Sequence, residues 1–157
     1  MTRPAPRLTT LAYVRRGDET LMLRRGPLHD PRKGMWNGLG GKFEAGESPE
    51  DCLRREVAEE AGIEVLAADL KGVITFPDFD GDTDVYVFVF VVTSFRGQPR
   101  SSKEGDLFWV KTDRLQELQL WEGDRHFLPW LSAAGYFSAR FSYVDGRYVG
   151  HEVVHYP

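Results

Sequence analysis

Hydrophobic segments separated by turn residues predict a chain with more strands than helices. The segment Val85–Thr93 is apolar on both faces, which is typical of a strand covered on both sides, so we place it in the middle of a sheet. Shorter apolar segments bounded by turn residues predict the other strands, namely Leu8–Val14, Glu19–Leu23, Gly72–Phe76, Leu107–Val110, Phe137–Val144 and Arg147–Val154. Asp145-Gly146 favours a type I′ turn between the last two, which predicts a terminal hairpin.

One helix is marked at both ends by its capping residues. Ser48 suits the N-cap, Pro49 suits the first helical position, and Asp51 forms an approximate capping box with Ser48. Gly62 suits the C-terminal cap. Between these ends lies an apolar stripe of residues four apart, Leu53, Val57 and Ala61.

The remaining segments are less regular. Thr112–Leu118 predicts a helical turn or two, and Asp124–Ala134 predicts a second helix that Pro129 must distort or shorten. Pro27–Gly34 is expected to be a loop, and residues 1–7 a loose arm. Because the helices lie between groups of strands, we expect one α+β domain over residues 1–157, with a mixed sheet packed between helices.

Composition and charge exclude several classes of protein. The 157 residues are 41% hydrophobic and 28% charged, values that exclude a disordered or fibrous chain. The longest apolar run has eight residues, far fewer than the roughly 20 of a membrane-spanning helix, and we expect no secretory signal and a cytoplasmic protein. The net charge of −4 argues against nucleic-acid binding over the whole surface, so a polyanionic ligand would need a metal ion.

Three carboxylates in the first helix indicate chemistry. Glu56, Glu59 and Glu60 stand at positions i, i+3 and i+4, where they share a helix face, and Arg55 cannot neutralise all three. Mg²⁺ prefers oxygen ligands of this kind, although a solvated acidic face would carry the same residues. The glycines that precede the helix allow backbone groups to approach a phosphate or a metal closely; they are Gly38, Gly40, Gly41 and Gly46.

The stretch from Gly41 to Ile63 resembles the signature of the Nudix hydrolase family, G-x5-E-x7-R-E-U-x-E-E-x-G-U, in which U is aliphatic. Every specified position matches, at Gly41, Glu47, Arg55, Glu56, Val57, Glu59, Glu60, Gly62 and Ile63. The resemblance implies a Nudix fold, a mixed sheet between helices in which the signature forms a loop, a helix and a loop. It also implies hydrolysis of a nucleoside diphosphate linked to another group.

The resemblance further implies roles for particular residues. Glu56 and Glu60 are the primary candidates for ligands of Mg²⁺ (or Mn²⁺), Glu59 is a further ligand or base, and the Gly41 carbonyl commonly completes the metal site. Arg55 and Glu47 are expected to hold the loop and orient the glutamates.

Two other residues carry groups that could take part in the chemistry. Glu104 is a candidate base and metal ligand, with an exposed turn acid as the alternative. Cys52 is expected to pack inside the protein and not to act as a nucleophile.

Two further segments bear on the substrate. Residues 36–42 are similar to the W-N-G-x-G-G-K segment of MutT-type oxidised-purine nucleoside triphosphatases, which makes Asn37 a candidate for the purine edge and Lys42 a further substrate-binding candidate. Residues 120–129 look like that group's tryptophan-then-acid segment, so Trp121 is a candidate for base stacking and Asp124 for a hydrogen bond to the base. This chain has Gly123-Asp124 where the animal-type pattern has adjacent aspartates, which leaves one acidic contact missing. The alternatives are an asparagine that tolerates a tight backbone and a tryptophan in the core.

The leading hypothesis is a Mg²⁺-dependent pyrophosphohydrolase that acts on 8-oxo-dGTP or a related purine triphosphate. The alternatives are a Nudix hydrolase for ADP-ribose or a nucleotide sugar, and a module that senses a nucleotide without cleaving it.

Several charged groups are not expected to carry chemistry of their own. The acidic segment from Asp78 to Asp84 is interpreted as a turn, and His151 and His155 as surface residues. The basic residues before the glycines either steer a triphosphate or are solvated surface charges; they are Arg24, Arg25, Arg32 and Lys33.

Overall fold

The computed structural model describes residues 2–26 and 34–157, so most of the expected Pro27–Gly34 loop, with Arg32 and Lys33, lies outside the described residues. Eight strands are present in that part of the chain: β1 (Arg7–Arg16), β2 (Glu19–Arg25), β3 (Trp36–Asn37), β4 (Glu64–Asp80), β5 (Thr83–Arg96), β6 (Gly105–Lys111), β7 (Tyr136–Val144) and β8 (Arg147–Tyr156). The helices are α1 (Pro49–Ala61) and α2 (Glu122–Phe127), with 3₁₀ helices at Thr112–Glu117 and Leu128–Ser132.

The strands form one mixed sheet in the order β3-β2-β1-β5-β4-β7-β8, and β6 pairs with β2. β1 runs parallel to β5, and β4 runs parallel to β7, while the other pairs are antiparallel. The central position expected for residues 85–93 is confirmed, because β5 lies between β1 and β4.

Two hydrophobic cores lie on opposite faces of this sheet. Alternate residues of β1 divide between them: Ala12 and Val14 pack with Leu53 and Val57 of α1, whereas Tyr13 packs with Phe127 of α2 on the other face. The expected α+β architecture, a mixed sheet between helices, is therefore confirmed.

The caps of α1 are those expected from the sequence. The Ser48 hydroxyl accepts the Asp51 amide at 3.1 Å, and the Asp51 carboxylate accepts the Ser48 amide at 3.1 Å. Gly62 closes the helix in the left-handed conformation with φ 71°, where a glycine has no steric penalty. The start and the end of the helix that carries the three glutamates are thus fixed by local hydrogen bonds.

Other boundaries differ from the sequence-based expectations. β4 covers Glu64–Asp80, where only residues 72–76 were expected, and the two-residue strand β3 was not expected at all. The second helix begins at Glu122, and its α-helical part ends at Phe127, two residues before Pro129. Proline has no amide hydrogen for a helical bond, and here the chain continues as a 3₁₀ helix around it.

The start of the chain differs from the expectation, and the final hairpin turn agrees with it. Residues 2–6 have no regular secondary structure, but they are not a free arm, because the Arg3 guanidinium pairs with Asp78 at 2.7 Å and with Asp84 at 3.2 Å. The final turn has positive φ at Asp145 (52°) and Gly146 (77°), as a type I′ turn requires. No helix in the described ranges is long and apolar enough to cross a membrane.

Candidate active site

Residues 36–42 lie between β1 and β2, which separate beyond their pairing of Val14 with Leu21. On one side this segment pairs with β2 at Trp36 and Asn37, and on the other it bridges β1 at Leu39 and Lys42. We call it the inserted segment. It brings the glycines of the signature loop into the sheet, directly in front of α1.

The inserted segment needs glycine because it approaches the β1 backbone closely. A Cβ at Gly38 would lie 2.7 Å from the Ala12 carbonyl oxygen, and a Cβ at Gly40 would lie 2.0 Å from that of Thr10. Either contact is shorter than atoms can tolerate, so a larger residue would force the segment out of the sheet.

Glu60 and Glu56 of α1 point back at these glycines. Glu60 is 4% exposed, and the Gly40 amide donates to its Oε1 at 2.6 Å. Burial raises the pKa of Glu60 to about 7, against the opposing effect of this hydrogen bond. Glu56 is so close to Gly41 that a Cβ there would lie 2.6 Å from its carboxyl carbon, and its charge helps to raise the pKa of Glu60. Two carboxylates therefore meet at the loop, which we call the catalytic end of the site.

Arg55 joins the loop to the helix. Its Nε and Nη2 donate to the two oxygens of Glu47 at 2.7 and 2.9 Å, and Nη2 also donates to the Lys42 carbonyl at 2.9 Å. Its Nη1 donates to Glu56 at 2.8 Å. The bidentate pair lowers the pKa of Glu47 to about 2. Arg55 thus lies where it holds the loop and orients Glu56.

Glu59 does not join Glu56 and Glu60 in one cluster. Its side chain is 59% exposed and lies 3.4 Å from Arg55. Among residues 2–26 and 34–157 no three histidine, cysteine or acidic side chains converge as a metal site. The Gly41 carbonyl already accepts the Thr10 amide at 2.9 Å and the buried Cys52 thiol at 3.6 Å.

The catalytic end nevertheless fits a hard divalent cation. Mg²⁺ commonly takes one or two protein carboxylates and fills its other positions with water and substrate phosphate. Arg55 pairs with Glu56 and not with the buried Glu60, and a buried carboxylate is costly without a compensating positive charge. Glu56 and Glu60 are the residues that would hold such an ion. Glu59 is turned to solvent, and the part of the Gly41 carbonyl in a metal site stays a prediction.

Glu104 lies next to this end because β6 pairs with β2 in a register that sets Gly105 opposite Arg25. The Arg25 guanidinium is 3.5 Å from the Glu104 carboxylate. Both groups act on Glu60, since the charge of Arg25 lowers its pKa and that of Glu104 raises it. The sequence marked Arg25 as either a steering charge or a solvated surface charge, because no local signal shows that it pairs with Glu104, 79 positions away.

Asn37, Trp121 and Asp124 lie towards the other end of the inserted segment, which we call the base end. The Trp36 amide donates to the Gln119 carbonyl at 2.9 Å, which ties the segment to the chain just before Trp121. Asn37 and Trp121 are half-buried. Asp124 is only 7% exposed, and burial raises its pKa to about 7. Lys42 has an exposed side chain on the loop of the catalytic end.

Sequence reasoning missed a residue that supports the base end. Tyr143 of β7 accepts the Gly123 amide at 2.7 Å, so the terminal hairpin braces the start of α2. His151, expected on the surface, is instead half-buried, stacks on Phe141 at 4.8 Å and bonds the Tyr148 hydroxyl. Cys52 is fully buried, and burial raises the pKa of its thiol, as suits a packing residue.

Known proteins are similar to this chain in fold and in sequence. A family model of the NUDIX domain matches residues 5–131. The uncharacterized Nudix hydrolase YvcI of Bacillus subtilis (strain 168) is 37% identical over 139 residues, which cover 85% of each chain. An oxidized purine nucleoside triphosphate hydrolase of Danio rerio is 33% identical over 122 residues, covering 77% of this chain and 74% of that protein. The crystal structure of a mutator MutT protein from Bacillus halodurans has a TM-score of 0.82 and 30% identity, covering 94% and 97% of the two chains. The chain therefore belongs to the Nudix family of hydrolases and has a MutT-like fold.

Proposed function

We propose that this Nudix hydrolase cleaves oxidised purine nucleoside triphosphates, such as 8-oxo-dGTP, to the monophosphate and pyrophosphate in the presence of Mg²⁺. The observation that carries the proposal is Asp124, a nearly buried carboxyl group next to Trp121 at the end of the site away from Glu60. The names of the Danio rerio relative and of the Bacillus halodurans structure support it. Such an activity would remove damaged precursors from the nucleotide pool.

The chemistry of the base explains why a buried carboxyl group would select it. Guanine presents acceptors at N7 and O6, and oxidation at C8 changes N7 from an acceptor into an N–H donor. Above its pKa of about 7 Asp124 is ionised, and it then accepts a hydrogen bond from that N–H but repels the lone pair of an unoxidised N7. Trp121 would stack on the ring, a contact worth about 1–3 kcal/mol per base. The Asn37 amide offers both a donor and an acceptor to the remaining edge.

The residues at the catalytic end have complementary roles in this proposal. Nudix hydrolases generally use a divalent cation, and Glu56 and Glu60 are the residues that would hold it. When bound, Mg²⁺ neutralises phosphate oxygens and polarises the phosphorus. Glu104 would accept a proton from the attacking water, with Glu59 as the alternative base. Arg25 would leave Glu104 for the phosphates, which frees that carboxylate as the substrate enters.

The test is a side-by-side measurement of kcat/KM for 8-oxo-dGTP, dGTP and ADP-ribose with Mg²⁺. We expect a preference of tenfold or more for 8-oxo-dGTP over dGTP, which corresponds to about 1.4 kcal/mol of discrimination. Asp124→Asn should reduce that ratio, whereas Asp69→Asn, at an exposed position on β4, should leave it unchanged. Equal rates for the two triphosphates would contradict the base selection, and turnover of ADP-ribose alone would contradict the substrate class.

A further inference from the structure

Tyr13 of β1 is a polar residue within the apolar core that lies behind the base end. It is 1% exposed and belongs to the core on the α2 side of the sheet. Its hydroxyl forms no hydrogen bond within residues 2–26 and 34–157. Buried tyrosine hydroxyls usually have a hydrogen-bond partner. This hydroxyl therefore has a bonding capacity that the described residues do not use.

The ring of Tyr13 contacts both elements that form the base end. It meets the ring of Phe127 in α2 edge to face, with the ring centres 6.3 Å apart. It also contacts the inserted segment, since a Cβ at Gly38 would lie 3.1 Å from its Cε1 atom. Gly38 directly follows Asn37, and Phe127 lies one helical turn after Asp124. Tyr13 thus connects the segment that carries Asn37 to the helix that carries Asp124.

Asp124 is a second buried polar group without a described partner. It is nearly buried, and its carboxyl group forms no hydrogen bond within the described ranges. Burial raises the pKa of the Tyr13 phenol, and the charge of Asp124 raises it further, so the two groups are close to each other. The phenol keeps its proton and is a donor, whereas the ionised carboxylate is an acceptor. An unused donor beside an unused acceptor fits a ligand that carries the complementary pair.

An oxidised guanine carries that pair on one edge. Guanine presents N7 and O6 next to each other as acceptors, and oxidation at C8 turns N7 into a donor while O6 remains an acceptor. The carboxylate of Asp124 would accept from N7–H, and the hydroxyl of Tyr13 would donate to O6. Adenine has an N6 amino donor in place of O6, and the Tyr13 hydroxyl cannot donate to that group.

We propose that Tyr13 is a specificity-determining residue whose hydroxyl donates a hydrogen bond to the 6-oxo group of the purine, next to Asp124. The inference rests on the proposed hydrolysis of oxidised purine triphosphates, and it narrows the substrate class to 6-oxopurines. The residue type gives no sequence signal for this role, because a tyrosine in an apolar strand is commonly buried for packing.

The test compares kcat/KM of the wild type and Tyr13→Phe for 8-oxo-dGTP, 8-oxo-dATP, dGTP and dATP with Mg²⁺. The variant removes only the hydroxyl and keeps the ring against Gly38 and Phe127. The wild type should prefer 8-oxo-dGTP over 8-oxo-dATP, and Tyr13→Phe should lower that preference about 3- to 10-fold, as expected for the loss of one neutral hydrogen bond. The loss should appear in KM, with kcat within about twofold, because the phosphates react at the catalytic end. Tyr136→Phe, at an exposed position on β7, is the control and should leave the preference unchanged.

The stability of the free protein separates this role from a packing role. Because the Tyr13 hydroxyl has no described partner, Tyr13→Phe should melt at a temperature no lower than the wild type when no nucleotide is present. A hydroxyl that served only the fold would give a lower melting temperature and equal losses on all four triphosphates, and that result would overturn the inference.

Two further results would also overturn it. One is an unchanged preference between the two oxidised triphosphates in a folded Tyr13→Phe. The other, which needs only the wild type, is the absence of any preference for 8-oxo-dGTP over 8-oxo-dATP. Equal wild-type rates for 8-oxo-dGTP and dGTP would instead contradict the proposed function, and the ratio of dGTP to dATP in Tyr13→Phe would then decide on the 6-oxo contact.

Discussion

Two carboxyl groups at opposite ends of the site are buried enough to titrate near neutral pH. Burial raises the pKa of Glu60 and that of Asp124 to about 7 each. Two groups oppose this shift only partly: the hydrogen bond from the Gly40 amide lowers the pKa of Glu60, and the charge of Arg125 lowers that of Asp124. Perturbed carboxyl groups of this kind cluster at functional sites, and each makes a different prediction.

Asp124 should destabilise the folded protein at alkaline pH. Since the folded chain holds this proton more tightly than the unfolded chain, stability is lost as the pH rises from about 4 towards 7. The charge that acts on it is Arg125 on its own helix. Burial and the charge of Asp124 both raise the pKa values of Tyr13 and Tyr143. In urea denaturation at pH 8, the free energy of unfolding of Asp124→Asn should therefore exceed that of the wild type by on the order of a few kcal/mol. The difference should vanish near pH 4.

The control for this measurement is Asp69→Asn, at an exposed position, which should show no pH-dependent difference. Equal unfolding free energies of Asp124→Asn and the wild type at pH 8 would mean that burial does not raise the pKa of Asp124.

Glu60 should matter for turnover more than for binding of the nucleotide. Glu60→Gln keeps an oxygen that can accept the Gly40 amide but removes the negative charge, so kcat should fall about 100-fold or more. Glu50→Gln, at an exposed position in the first turn of the same helix, should leave kcat within about twofold. Nucleotide binding to Glu60→Gln, measured by calorimetry, should persist, and unchanged turnover would contradict the assignment of Glu60 to the metal.

At the scale of elements, the residues that cap α1 are different from the residues that would carry its chemistry. Ser48 and Asp51 exchange two hydrogen bonds at the start of the helix, one turn before Arg55 and Glu56. The cap is exposed, and its two described side chains form no hydrogen bond or ion pair with Glu56 or Glu60. A change in the cap therefore alters how stably the helix is held and leaves the arrangement of the glutamates intact.

Ser48→Ala should lower the free energy of unfolding by about 1 kcal/mol, because it leaves the Asp51 amide without its acceptor. At a temperature well below the unfolding transition, kcat should remain close to that of the wild type. Ser138→Ala, at an exposed position on β7, is the matched control and should change stability by less than about 0.5 kcal/mol. A large loss of kcat in Ser48→Ala with the fold intact would show that the cap also positions the glutamates.

The same helix shows how far local sequence signals reach. Its ends at Ser48 and Gly62 could be predicted because the capping partners lie within four residues of one another along the chain. β3 and the insertion of residues 36–42 could not be predicted, because they depend on contacts with β1 and β2, whose residues are distant from this segment along the chain. Spacing placed Glu59 on one face with Glu56 and Glu60, but only its exposed fraction in the structure shows that Glu59 is turned to solvent.

For the whole molecule, the sheet separates the helix of the catalytic end from the helix of the base end. α1 and its glutamates pack on one face, while α2 and Asp124 lie on the other, held by the hairpin through Tyr143. This hairpin, β7 and β8, lies beyond the residues 5–131 that match the NUDIX family model. Tyr143, which braces Gly123, therefore belongs to a part of the fold that the family model does not cover.

Tyr143→Phe should affect nucleotide binding more than the chemical step. The change removes the acceptor of the Gly123 amide, a loss of about 0.5–1.5 kcal/mol, so KM for the preferred triphosphate should rise about 2- to 10-fold. The kcat should stay within about twofold, because the glutamates lie on the other face. Tyr136→Phe, at a 58% exposed position on the same strand, is the control, and a fall in kcat at unchanged KM would contradict the brace.

The inserted segment has a consequence for the order in which the protein folds. β1 and β2 are neighbours in sequence, yet their hairpin cannot close completely, because residues 36–42 must enter between them. The other edge of β1 pairs with β5, and the other edge of β2 pairs with β6. Contacts so distant along the chain form late and together. The amides of Ala12, Leu39 and Gly40 should thus exchange with deuterium only on global unfolding. A catalytic loop built in this way is lost when the whole sheet is lost, so partial unfolding at a chain end would leave it active.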